Sequence, residues 1–150
     1  MRVFAALMGL FLVLSALVYA PRAKTDLGSL LPVDTLCVTK EKGRIVVTGR
    51  EVRGEGRDWD SAMENLEATA SGTVFLETAD RLVISEAAAD CLPDICRDER
   101  LRPAVQLYWL RGQGGAALED FTAAHESTAT IAEPEEIPVI VERKGRYRLG

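Results

Sequence analysis

A chain of 150 residues and 16.4 kDa has room for one hydrophobic core of ordinary domain size and little more. With 47% hydrophobic and 27% charged residues and a mean hydropathy of +0.03, it lies far from the composition of intrinsically disordered chains. Eighteen basic against 23 acidic residues give a net charge of −5, without the basic stripe that counterion-driven nucleic-acid binding requires, so a nucleic-acid partner is excluded.

The N-terminus sets the compartment. Residues 3–20 form an uncharged apolar run that ends at Pro21-Arg22-Ala23-Lys24. As a helix, at about 1.5 Å per residue, the run reaches roughly 27 Å, enough to cross a slightly thinned hydrocarbon core. Val18-Tyr19-Ala20 fits an export cleavage site, but Pro21 directly after the cut hinders the peptidase. The expectation is an uncleaved membrane anchor over 1–24 with the remainder on the extracytoplasmic side. The alternative is cleavage near Ala20 and secretion. Residues 25–32, small and polar, read as a tether, and an extracytoplasmic domain is expected over 33–150.

Within that domain, 33–39 (VDTLCVT) and 44–52 (RIVVTGREV) are β-branched runs flanking Lys40-Glu41-Lys42-Gly43, the pattern of a β-hairpin. Residues 53–57 read as a loop. Asp58 is the N-cap of a helix reaching about Ala70, whose Trp59, Ala62, Met63, Leu66 and Ala70 share one face, with Gly72 beyond its end. Two extended segments, 74–77 and 81–85, lead to Ser85, which caps a helix from Glu86; Pro93 breaks it and starts a fresh turn carrying Ile95. A strand over 104–111, a Gly-rich turn over 112–115, a short helix over 116–125 with Leu118 and Phe121 inward, a polar loop over 126–136 and a hairpin over 137–149 complete the chain. The order β-β-α-β-α-β-α-β predicts an α+β fold: a mixed sheet with its helices packed on one face.

Few residues offer chemistry. Cys37, Cys91, Cys96 and His125 match a zinc site in number but not in spacing, which lacks the close C-x2-C pairs such sites use. No metal site is expected. In an exported domain Cys91 and Cys96 could form a disulfide around the Pro93 break, although small buried thiols are the better account of all three cysteines. Glu51, Glu55, Asp58 and Asp60 crowd one loop and helix start, interleaved with Arg50, Arg53 and Arg57, which reads as a mutually neutralised surface. Gly54-x-Gly56 lacks the remaining residues of a nucleotide loop and reads as a tight connection, so no cofactor is expected. His125 has no nucleophile placed beside it and suits a helix C-terminus. No residue is assigned a catalytic role. Tyr108 and Trp109 point to opposite sides of their strand, one into the core and the other a candidate partner contact.

Three segments, in order, carry a resemblance. Gly56-Arg-Asp-Trp-Asp-Ser-Ala-Met-Glu-Asn-Leu66, Leu82-Val-Ile-Ser-Glu-Ala-Ala88 and Arg97-Asp-Glu-Arg-Leu-Arg-Pro103 resemble the N-terminal domain of spore germination receptor C subunits, the Ger(x)C family. That domain shows a strand pair, a Gly-led helix, a strand ending near Gly-Glu and an "RD..lRp" stretch before another strand. The likeness covers about 33–111. It implies an endospore-forming bacterium and a protein on the outer surface of the spore inner membrane, working with the membrane subunits of a nutrient receptor and without catalytic activity. The chain departs from the family in having no lipobox Cys after the apolar run, so anchoring would fall to residues 3–20. The further C-terminal domain of the family is also missing, and the expectation is a short single-domain relative.

Overall fold

Two β-hairpins bracket the fold, and each turns on a Lys-Gly pair. A computed structural model describes residues 29–150; the expected anchor over residues 3–20 lies outside the described residues. Strands β2 (Thr35–Glu41) and β3 (Arg44–Thr48) meet at Lys42-Gly43, and β8 (Val139–Arg143) and β9 (Arg146–Leu149) meet at Lys144-Gly145. The φ angles of 49° and 76°, and of 53° and 74°, are those of two-residue turns that match the twist of the flanking strands.

Between them lie β4 (Arg53–Gly56), α1 (Trp59–Thr69), β5 (Thr73–Phe75), β6 (Arg81–Ser85), α2 (Leu92–Arg97), β7 (Gln106–Arg111) and α3 (Ala117–Ala124), with β1 (Leu30–Pro32) ahead of β2. Seven strands form one mixed sheet in the order β4-β3-β2-β6-β7-β8-β9, with β2, β6, β7 and β8 mutually parallel. β1 and β5 pair in parallel as a separate two-stranded sheet. Leu30–Pro32, expected in the tether, are therefore part of the fold. Residues 53–56, expected as a loop, are an edge strand.

The mixed α+β sheet agrees with the sequence pattern, but the placement of all helices on one face is corrected. α1 and α2 cover a first face, where Leu36, Val38, Leu82, Ile84 and Leu107 pack with Trp59, Met63, Leu66 and Ile95. α3 covers the second face, where Val83, Tyr108, Leu110 and Ile140 pack beneath Leu118. The reason is visible in β6 and β7. Their consecutive residues Leu82, Val83 and Ile84, and Leu107 and Tyr108, are all fully buried, and a strand buried on both sides needs cover on both.

Local signals explain the helices. Asp58 caps α1 by accepting the Ser61 N–H at 2.8 Å. Ser85 accepts the Ala87 N–H and starts a 3-10 stretch, Glu86–Cys91, that runs into α2, with Pro93 in its first turn. The loop expected to be merely polar over 126–136 instead closes the first-face core through buried Ala129 and Ile131.

Candidate functional site

A concavity lies on the second face, over β2 and beside α3. This cleft has a volume of about 810 Å³. Its floor is made by alternate residues of β2, Thr35, Cys37 and Thr39, with Thr48 of β3 and Ser85 at the end of β6. One wall is the glycine-rich segment 112–116, which leads from β7 into α3. Gly112 adopts φ +119°, and a side chain there would strike Glu142. The rim carries both signs of charge: Arg50 pairs with Glu119 at 3.4 Å and Arg53 with Glu41 at 3.3 Å.

At one end of the floor, Thr35 and Arg81 are register partners across β2 and β6. The Thr35 hydroxyl and the Arg81 Nε are the two buried side-chain polar atoms without a hydrogen-bond partner among the described residues. Nearby, Cys37 is half-buried, and burial pushes its thiol up to about 11. The thiol is therefore protonated at neutral pH and a poor nucleophile. The sequence signal for this cleft was the period-two series Thr35, Cys37, Thr39, which marks one strand face as small and polar.

A second constellation joins segments far apart in sequence. Trp59 Nε1–H donates to Asp98 at 2.6 Å, and Arg100 donates to the same carboxylate from its backbone N–H at 2.9 Å and from Nη2 at 2.7 Å. Arg100 also reaches Asp60 at 3.2 Å. The Asp98 side chain is only 5% exposed. Burial alone would raise its pKa; the hydrogen bonds from Arg100 and Trp59 outweigh burial and hold the carboxyl below its ordinary value. This network ties the start of α1 to the loop after α2.

The other singled-out residues separate. Asp58 caps α1, Asp60 pairs with Arg100, Glu55 pairs with Arg53 at 2.8 Å, and Glu51 is exposed, so the four carboxylates do not converge. Gly54 and Gly56 lie in β4 directly against α1: a Cβ on them would stand 2.2 Å from the Ala62 carbonyl oxygen and 2.3 Å from the Ala62 nitrogen. They permit close strand–helix contact and are not a phosphate loop. Cys37 sits by the second-face cluster and Cys91 within the first, so the sheet divides the four zinc candidates. Cys91 and Cys96, the candidate disulfide pair, are free thiols. Burial raises both thiols, Cys91 to about 11.

His125 ends α3 with its ring stacked on Phe121 at 4.2 Å and Nδ1 2.9 Å from the Phe121 carbonyl oxygen. Tyr108 is the inward member of its pair. Fully buried beneath α3, its hydroxyl lies 2.8 Å from the His125 carbonyl oxygen and 2.9 Å from Gln106 Oε1. Trp109 is half-buried against the first-face core, beside Val139 in register.

Comparison with family models, curated proteins and solved structures finds no match. Among the described residues, no helix is long and apolar enough to cross a membrane.

Proposed function

We propose that this chain is a membrane-tethered, extracytoplasmic docking module without catalytic activity, related to the N-terminal domain of germination receptor C subunits. It would stand on the spore inner membrane beside receptor-like membrane subunits, held by residues 3–20. The observation that carries this reading is the Trp59–Asp98–Arg100 network. It draws on two of the three segments that carry the resemblance, and Leu82, Ile84 and Ala88 of the third pack in the same first-face core. Residues that recur together in such a pattern would then do so because they jointly hold one fold.

An immunoblot across vegetative membranes, culture medium and spore inner membranes tests this, combined with crosslinking and recovery of bound proteins. Full-length protein confined to spore membranes and crosslinked to membrane subunits is expected. Shortened protein in the vegetative medium overturns the tether and the germination role together.

A second reading, a small-molecule-binding module, is favoured by the cleft and by the unpartnered Thr35 hydroxyl at its floor. A specific ligand would raise the melting temperature by mass action, and Thr35→Val would abolish the rise.

A further inference from the structure

The two edges of the seven-stranded sheet are finished differently. At β4, α1 packs against the edge: Gly54 and Gly56 lie directly on its backbone, Glu55 N–H donates to Asn65 Oδ1 at 2.9 Å, and the Thr69 hydroxyl, which donates to Asn65 O at 2.8 Å, lies 3.0 Å from Arg53 O. α1 covers that edge.

At β9 it is open. Gly150 N–H donates to Val139 O at 2.8 Å, so residues 146, 148 and 150 face β8, and alternation turns the N–H and C=O groups of Tyr147 and Leu149 outward. No group among the described residues bonds to them. Leu149 is 50% exposed. Arg146 and Arg148 are exposed on the opposite side of the strand, and Arg143 and Lys144 are exposed at its turn. None of these four cations is in an ion pair among the described residues.

The charge is concentrated. The last twelve residues hold four cations and one carboxylate, whereas the other 138 residues hold 14 basic against 22 acidic residues. Arginines on an edge strand resist pairing with a second copy, because self-addition would bring like charges side by side. They favour a strand of opposite charge.

We infer that β9 is a docking edge for an extended acidic segment of a partner protein, which adds to the sheet as an eighth strand. The incoming strand places its side chains alternately on the two faces. Residues beside Arg146 and Arg148 would be Asp or Glu, and those beside Tyr147 and Leu149 would be apolar, so the recognised pattern is acidic–apolar–acidic–apolar. The hairpin would act in this way whatever complex the tether places it beside.

The test uses the full chain in an uncharged detergent, with the blocked peptide Glu-Val-Glu-Val-Glu-Val as probe and amide hydrogen exchange as readout. Saturating peptide is expected to slow exchange at Tyr147 and Leu149 at least tenfold, and the exposed double substitution R146E/R148E to remove the effect. The milder R146Q/R148Q is expected to weaken it, and retained exchange protection in β6 and β7 would show that each variant is folded. Unchanged exchange at Tyr147 and Leu149 overturns the inference. So does equal protection by a Glu-Glu-Glu-Val-Val-Val peptide or by phosphatidylglycerol vesicles, since attraction to charge alone would then account for it.

Discussion

At Gly54 a Cβ would meet the Ala62 carbonyl oxygen and stand 2.5 Å from the Leu66 Cβ, both belonging to a helix whose buried face is already packed. Gly54→Ala must therefore push α1 away from β4, at a cost of about 3 kcal/mol, the upper end for overpacking. A lowered urea midpoint with an unchanged slope would show it. Asp98 acts through charge instead. Asp98→Asn leaves Arg100 with Asp60 alone as a carboxylate partner and disturbs the acceptor of the Trp59 indole, costing about 2 kcal/mol at pH 7. Because the folded-state pKa of Asp98 is lowered, its contribution is fully present above the unfolded value of about 4 and is lost as pH falls through the lower folded value. Urea titrations should thus give a constant gap between wild type and Asp98→Asn from pH 8 to about 5, closing below about 4.

Among the elements, α3 depends most on a single side chain. The Tyr108 hydroxyl, rising from β7, reaches the last carbonyls of α3 at Thr122 and His125, while Gln106 holds the next segment through the Ser127 N–H. Tyr108→Phe leaves these buried acceptors without their donor and should cost about 1.5 kcal/mol. Faster amide exchange is expected over residues 122–129, with exchange in α1 unchanged. The elements most legible in the sequence were those with local punctuation: the hairpin at Lys42-Gly43, the helix after Asp58, and the break at Pro93. β1 and β4 carried no such mark. β1 is three residues long and pairs with a strand more than forty residues away, and β4 has glycines where a strand normally carries branched side chains. Both exist because of what packs against them. The cleft was not read from the sequence. The alternation of Thr35, Cys37 and Thr39 marked a polar strand face, but the Gly-rich wall reaches it only through the neighbouring positions of β2, β6 and β7 in the sheet.

Across the whole molecule, the sheet separates two unequal cores. The first face, under α1 and α2, holds most of the buried apolar residues; the second, under α3, holds five. Leu118→Asp should therefore loosen only the smaller one. Removing a leucine that is 3% exposed and placing a carboxylate against Leu110 and Ile140 should cost about 3 kcal/mol. Binding of a hydrophobic dye is expected to rise, while the fluorescence of Trp59 and Trp109, both packed in the first-face core, stays unchanged. A simultaneous shift of the tryptophan signal would mean that the two cores melt as one.

Composition and local pattern were sufficient for the α+β class, the capped helix α1, both hairpins and the apolar N-terminal run. Each depends on residues within a turn or two of one another, where backbone preference and periodicity act directly. The side of the sheet taken by α3, the burial of Tyr108, the meeting of Trp59 with Asp98 and Arg100, and the contrast between a covered β4 edge and an open β9 edge depended on strand order. Strand order is set by which buried faces find cover, a condition met jointly by residues distant in sequence that no local window contains.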